Sequence, residues 1–250
     1  MMDGQPGFSR SKRGSATVRY KSAPGDDESR VVPLAEADVE ALAAAFPWRE
    51  FRWRAGQRHY SGTYWAATGE RHVIYESRLE LARLLFADFD SSVHQICAQP
   101  FLLTTRIDGV ERRHIPDFLL MTQRGPTVVD VKPAQRLTHP KVAATFAWTR
   151  EELHSRGWIY EVWSEPNGTQ LHNIRFLAGF RRRALFDPML LADLRDEDPA
   201  GASIADVVAR HRRWPSALVR SALFHLIWDG EFVVDLDHQL QPHSTLTRKV

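Results

Sequence analysis

Apolar positions recur along the chain at two spacings, one typical of helices and one typical of strands. Over residues 75–89 they return every three or four residues, as on one face of an amphipathic helix. Residues 114–121 and 127–133 are short apolar or β-branched runs separated by a turn, which predicts two strands. The remaining main elements are predicted as a helix at 34–46, a helix at 141–156, a strand at 158–165 and a helix at 171–183. This alternation favours a mixed α/β domain over an all-helical or all-β one.

The first 30 residues differ from the rest of the chain in their polarity. They contain few apolar side chains and no acid between Asp3 and Asp26, which predicts a disordered basic arm over residues 1–30. Its positive charges are Arg10, Lys12, Arg13, Arg19 and Lys21. We therefore expect the mixed α/β domain to span residues 31–183, with the helix at 34–46 at its start.

A second, smaller unit is predicted over residues 184–250. It contains a short helix at 203–211, a longer helix at 214–230 and an alternating segment at 231–244 that predicts a two-stranded ribbon. Helix, turn, helix and ribbon in this order are typical of a winged helix-turn-helix domain. A generic helical subdomain is the alternative interpretation.

Composition restricts the class of protein further. The chain is 43% hydrophobic, which is enough for a core, but it contains no apolar run of membrane-spanning length and no secretory signal at its start. Its single cysteine, Cys97, excludes an internal disulfide and a cysteine-rich zinc site, and we expect it to be a core thiol. A cytoplasmic protein without membrane association is the expectation.

The most specific chemical feature is a pair of carboxylates followed by a lysine. Asp117 lies on one predicted strand, at 114–121, and Asp130 and Lys132 lie on the next. Residues i and i+2 of a strand point to the same face, so Asp130 and Lys132 should project together, and a hairpin can bring Asp117 beside them. Carboxylate oxygens suit Mg²⁺, and a neighbouring lysine can orient water or neutralise charge on a phosphoryl group. Each half of the pattern alone would usually be a salt bridge or a loop residue.

The helix at 75–89 supplies a third acid. Glu80 lies on the polar side of this helix and is the predicted third metal ligand, with Glu76 as the alternate ligand or a helix N-terminal acid. His114, three residues before Asp117, can also approach the site, and its role is open. The site residues predicted for catalysis are Glu80, Asp117, Asp130 and Lys132, and the first three are predicted to hold Mg²⁺ or Mn²⁺.

These residues resemble the PD-(D/E)xK nuclease superfamily, which has a restriction-endonuclease-like fold. Pro116-Asp117 and Asp130-Val131-Lys132 carry that likeness. The wider stretch at 75–133 is similar to TnsA, the endonuclease subunit of heteromeric transposases. The shared motifs are Leu-Glu on a helix, a D-x-S-V turn, a Q-P pair, DFL and VKP, in this order.

The resemblance implies a mixed sheet flanked by helices, followed by a small winged-helix-like domain. It implies a Mg²⁺-dependent endonuclease that cleaves the non-transferred strand of double-stranded DNA at transposon 5′ ends. A DDE-type transposase subunit and an AAA+ ATPase regulator are the implied partners. The position of Asp130 varies in the family between acids and glutamine, so its role is less certain than that of Asp117.

Two other functions remain open on the sequence. The same fold serves restriction or phage-defence nucleases, and a degenerate copy could be a non-catalytic DNA-binding assembly protein. Three regions are candidates for DNA contact. They are the arginine and aromatic segment at 50–75 that includes Arg52, Arg54 and Arg58, the cluster Arg181–Arg183, and the cluster Arg210–Arg213 with His211.

Overall fold

The computed structural model describes residues 14–24, 29–49, 60–199 and 201–248. Its strands are β1 (Thr17–Lys21), β2 (Ser29–Pro33), β3 (Gly62–Ala66), β4 (Arg71–Tyr75), β5 (Val93–Ala98), β6 (Leu102–Ile107), β7 (Val110–His114), β8 (Phe118–Thr122), β9 (Gly125–Val131), β10 (Ile159–Trp163), β11 (Phe232–Val234) and β12 (Leu246–Arg248). Its helices are α1 (Val39–Ala43), α2 (Arg78–Phe89), α3 (Ala134–Leu137), α4 (Pro140–Ser155), α5 (Gly168–Leu177), α6 (Pro188–Arg195), α7 (Ile204–Arg210) and α8 (Ser216–Trp228). Short 3-10 turns follow α5 and precede α6.

A mixed four-stranded sheet, with strand order β10-β9-β8-β5, forms the centre of the molecule. β5, β8 and β9 pair antiparallel, and β10 runs parallel to β9 after the crossover through α4. β8 and β9 are buried on both faces, which explains why their sequences are continuously apolar instead of alternating. The prediction of a mixed α/β domain is confirmed, and the architecture is consistent with a restriction-endonuclease-like fold.

A second sheet, with strand order β2-β1-β6-β7, contains part of the predicted N-terminal arm. The expectation of disorder over residues 1–30 is wrong for Thr17–Lys21 and for the start of β2, and residues 1–13 lie outside the described part. Val18 and Tyr20 point inward and are 0% and 8% exposed, while Arg19 between them points outward. The sequence alone does not predict this strand, because five residues of alternating polarity form a stable strand only when another strand, here β6, pairs with them.

Two hydrophobic clusters cover the two faces of the central sheet. The first includes Leu84 of α2 and Val129 of β9, and it continues without interruption into Leu223 and Trp228 of α8. The second lies under the other sheet and includes Val18 and Tyr160. The C-terminal elements therefore share a core with the sheet, instead of enclosing one of their own as the predicted division at residues 183 and 184 would suggest.

The C-terminal unit contains the predicted pair of helices and a two-stranded ribbon. β11 pairs antiparallel with β12, so the second strand lies at 246–248, beyond the segment 231–244 that the alternation indicated. The intervening residues instead contact the rest of the fold. Asn173 of α5, for example, donates hydrogen bonds to the backbone oxygens of Leu236 and His238. The winged-helix interpretation stays a prediction.

The β3–β4 hairpin is anchored to α2 by a buried carboxylate. Asp88, 5% exposed, accepts hydrogen bonds from the Tyr64 hydroxyl at 2.7 Å and from the Ala67 and Thr68 backbone N–H groups at 3.1 and 2.7 Å. These bonds hold the hairpin against the helix. Arg52, Arg54 and Arg58 of the predicted arginine and aromatic surface lie outside the described residues. Among the described helices, none is long and apolar enough to cross a membrane.

Candidate active site

Asp117 lies where β7 gives way to β8, because the predicted strand at 114–121 is interrupted at Pro116. Its N–H donates to the Val129 oxygen at 3.1 Å, and its Oδ2 accepts from the Val131 N–H at 2.7 Å. The Asp117 carboxylate is thus fixed against β9 at Val131, the residue between Asp130 and Lys132. Oδ1 takes no part in that hydrogen bond and remains available for other contacts.

Lys132 follows the last residue of β9. Its N–H donates to the Trp163 oxygen at 2.9 Å, and its carbonyl oxygen accepts from the Ser164 hydroxyl at 2.7 Å. These bonds fix its backbone at the end of β10. The partly buried side chain therefore starts from a rigid position at the edge of the central sheet.

Glu80 lies in the first turn of α2, which Ser77 caps. The Ser77 hydroxyl accepts from the Glu80 N–H at 3.1 Å and donates to Glu80 Oε1 at 2.8 Å. Glu80 Oε2 accepts from the Glu76 N–H at 2.7 Å. The serine before an acid-containing first turn is a strong helix start signal, and it places the Glu80 carboxylate at the N-terminal end of the helix.

The charges of Glu80 and Lys132 both act on the Asp117 carboxyl. Burial raises the pKa of Asp117 well above its usual range, and the charges of Asp130 and Glu80 raise it further, while the Val131 N–H and Lys132 oppose the rise. Burial also raises the pKa of Glu80, and the positive charge of Lys132 opposes this rise as well. Two crowded acids beside one ammonium group are the combination that perturbs pKa values at functional sites.

Asp130 is held differently from the other two acids. It is 2% exposed, and both of its oxygens lie 2.8 Å from His114 Nε2. The Tyr160 hydroxyl donates to Oδ2. Burial and the nearby carboxylate of Asp130 raise the pKa of Tyr160. The open role of His114 is therefore that of a hydrogen-bond partner to Asp130.

The side chains as they lie do not gather three carboxylates around one point. Among the described residues, no group of three or more His, Cys, Asp or Glu side chains is close enough to hold a metal ion. Asp117 and Glu80 nevertheless provide the hard oxygen donors that Mg²⁺ prefers. Burial raises the pKa of both carboxyls, and the charges of Asp130 and Glu80 raise that of Asp117 further, so a cation at this point would relieve the cost of ionising them. Asp117 and Glu80 fit a divalent ion because both are only partly buried, although the Glu80 oxygens would have to exchange their hydrogen bonds with Glu76 and Ser77 for the ion. Asp130 is 2% exposed and has partners at both oxygens.

Gln99 is a site residue whose role the sequence did not predict. Its backbone N–H donates to the backbone carbonyl oxygen of Asp117 at 2.8 Å, and its side-chain Nε2 donates to Glu76 Oε1 at 2.7 Å. The side chain is buried, and its φ of 48° is in the left-handed region that glycine favours. Arg49 also contacts Glu76, at 3.2 Å, so the predicted alternate ligand has two partners. The Q-P pair at 99–100 belongs to the motifs of the family resemblance and so marked this position. A positive φ at glutamine, however, cannot be predicted from the sequence.

Cys97 agrees with its prediction as a core thiol. It is buried beneath the second sheet, and its Sγ lies 3.5 Å from the Ala45 oxygen. Burial raises the pKa of this thiol to about 12, which keeps it protonated and unreactive at neutral pH.

The fold and the site together define a mixed α/β protein with paired acids and a lysine at the edge of a central sheet. Residues 90–165 match the family described as TnsA-like endonuclease, N-terminal. Over this segment the chain is similar to that family. The match contains Asp117, Asp130 and Lys132 and begins after Glu80. A comparison with curated proteins found no match.

Proposed function

We propose that this protein is a Mg²⁺-dependent DNA endonuclease that cleaves the non-transferred strand at transposon 5′ ends. A DDE-type transposase subunit would process the 3′ ends, and an AAA+ ATPase regulator would connect both to target DNA. The TnsA-like match supports the nuclease class and the link to transposition. The observation that carries the proposal is the position of the Asp117 carboxylate, which the N–H of Val131, the residue between Asp130 and Lys132, holds at 2.7 Å.

Asp117 and Glu80 are the residues that would hold the ion, Mg²⁺ or Mn²⁺. A bound divalent ion supplies Lewis-acid polarisation of the phosphodiester and lowers the pKa of water. Asp117 contributes a carboxylate whose position is fixed by the Val131 N–H. Lys132 orients the attacking water and neutralises negative charge that accumulates on the phosphoryl oxygens. Hydrolysis forms one bond from phosphorus to the water oxygen and breaks one bond to the leaving sugar oxygen.

Asp130 has a supporting role in this proposal instead of the predicted ligand role. Its hydrogen bonds with His114 and Tyr160 connect β9 to β7 and β10. Its negative charge raises the pKa of Asp117, and the same repulsion favours binding of a cation at the Asp117 carboxylate.

The test is strand-specific nicking of DNA that carries the cognate transposon ends. Purified protein, alone and with its transposase, is incubated with Mg²⁺ and end-labelled substrates, and the cut strand is mapped on denaturing gels. We expect cleavage of the non-transferred strand that stops in EDTA. Equal cleavage of both strands at unrelated sequences would contradict the transposon assignment and favour a restriction-type nuclease.

A non-catalytic DNA-binding assembly protein is the second candidate. The observation that favours it is that both oxygens of Glu80 and both oxygens of Asp130 already accept or share hydrogen bonds within the protein. Under this alternative, DNA affinity in chelator equals that in Mg²⁺. No strand is then cleaved, even when the transposase is present.

A further inference from the structure

A basic groove runs beside α2, between the β3–β4 hairpin and the end of α5. Its volume is about 620 Å³. Its lining combines arginines, two tyrosines and small or aliphatic residues, without a carboxylate, and consists of Tyr60, Tyr64, Arg78, Leu81, Leu85, Arg175, Ala178, Gly179 and Arg181. Arg182 follows at its rim. We refer to this surface, with Arg182 included, as the basic groove.

Aromatic rings orient three of the four arginines. The Arg78 guanidinium lies 4.9 Å from the centre of the Tyr60 ring, and that of Arg182 lies 4.5 Å from a Trp65 ring. Arg181 lies 5.0 Å from the Tyr64 ring and donates from Nε to the Trp65 oxygen at 3.0 Å. A guanidinium stacked on a ring keeps its edge N–H groups free for bidentate contact with phosphate, and less entropy is lost when it binds.

The arginines of the basic groove have no carboxylate partner in the described part of the chain. Within the described ranges, no ion pair includes Arg78, Arg175, Arg181 or Arg182. The acid beneath the groove is Asp88, which is buried and already accepts from the Tyr64 hydroxyl and two backbone N–H groups. As far as the described residues show, the groove therefore presents positive charge that no ion pair compensates, on a chain whose formal net charge is +2.

The second basic cluster, at 210–213, contrasts with the basic groove. Arg210 lies 2.8 Å from Glu197, His211 lies 3.1 Å from the same carboxylate, and Arg213 lies 3.6 Å from Asp193. Internal acids thus compensate much of the charge that the sequence alone suggested for DNA contact. Arginines that already have carboxylate partners gain less from phosphate, because the existing pairs must be broken first.

The basic groove and the candidate active site use different sides of the N-terminal end of α2. Arg78 and Glu80 both lie in its first turn, about 3 Å apart along the helix axis. Their side chains project in different directions, because residues i and i+2 of a helix do not face each other. A duplex held in the groove would therefore extend around this end of the helix to reach Glu80.

We propose that the basic groove binds the sugar-phosphate backbone of duplex DNA outside the active site. The inference rests on the proposed function, because that function makes DNA the substrate. Arg175 and Arg182 are exposed and contact phosphates, whereas Arg181 is partly buried and holds the groove wall through Trp65. Sequence-independent contacts of this kind add affinity and make binding strongly salt-dependent.

The test compares two double variants with the same loss of charge. Arg175→Gln/Arg182→Gln removes two arginines of the groove, and Arg210→Gln/Arg213→Gln removes two from the compensated cluster. Affinity of the full chain for a short fluorescein-labelled duplex of arbitrary sequence is measured by anisotropy in EDTA over a range of salt concentrations. Melting curves of both variants establish that they are folded.

We expect the groove variant to bind the duplex roughly tenfold more weakly or worse, and the slope of log K against log salt to decrease by about 1.8. The matched variant should bind within about twofold of the unmodified protein. Equal losses in both variants, or an unchanged groove variant, would overturn the inference and leave the groove open to an acidic partner segment. An unmodified protein that binds through the groove yet never nicks would refute the proposed function while leaving this inference intact.

Discussion

Asp117→Asn is expected to lower the nicking rate by about a thousandfold or more. The substitution removes the one fixed carboxylate with an oxygen outside its hydrogen bond, and loss of a metal contact removes several kcal/mol of transition-state stabilisation. Asparagine keeps the shape of the side chain and can still accept from the Val131 N–H. The measurement is single-turnover nicking of supercoiled or transposon-end DNA.

The melting temperature separates this loss from misfolding. Because the pKa of Asp117 is raised in the folded protein, stability falls as pH rises from the unfolded pKa through the folded one. A neutral asparagine removes that penalty, so the melting temperature at neutral pH should stay the same or rise. Nicking at the unmodified rate, or a melting temperature that falls with it, would contradict the role assigned to Asp117.

Asp130→Asn is the matched control for Asp117→Asn. The same chemical change is made two strand positions from Lys132, but here it disturbs the hydrogen bonds to His114 and Tyr160. We expect the melting temperature to fall and nicking to decrease less than in Asp117→Asn. A loss as large as that of Asp117→Asn, with normal stability, would restore Asp130 as the third metal ligand.

Lys132→Ala is expected to reduce nicking by about a hundredfold to ten-thousandfold, the range for loss of a positioned proton-transfer or charge-stabilising group. Lys132 lowers the pKa of both Asp117 and Glu80, so its removal should raise both pKa values. If the ionised acids are the active forms, the acidic limb of the pH–rate profile moves to higher pH.

Lys132→Arg provides the control for this second prediction. It keeps the positive charge, so the acidic limb should stay near its original pH, but its planar guanidinium cannot act as a compact, rotatable donor at the same point. We therefore expect a reduced rate without the shift. An alanine variant that retains full activity would exclude Lys132 from the chemistry.

Local pattern was sufficient to predict the elements that carry the site. The β-branched run in β9, the capped amphipathic helix α2 and the acid–acid–lysine order are all visible within short windows of sequence. Each depends on contacts between residues close in the chain or on strands joined by a tight turn. For this reason Glu80 was predicted on the right helix, whereas Asp117 and Lys132, predicted on strands, lie one residue before β8 and one residue after β9.

The partners of these residues were not predictable in the same way. Asp130 bonds to His114 on β7 and to Tyr160 on β10, which are brought together by the sheet order and not by sequence spacing. β1 was mistaken for disordered chain because its stability comes from β6, more than 80 residues later. The compensation of Arg210 by Glu197 is likewise a tertiary contact.

Direct metal binding tests the central claim, that Asp117 and Glu80 form a divalent cation site beside Lys132. Calorimetric titration of the full chain with Mn²⁺ requires neither DNA nor a transposase. We predict measurable binding by the unmodified protein that is lost in Asp117→Asn, weakened in Glu80→Gln and kept in Asp130→Asn. Identical isotherms for the unmodified protein and Asp117→Asn would contradict the account.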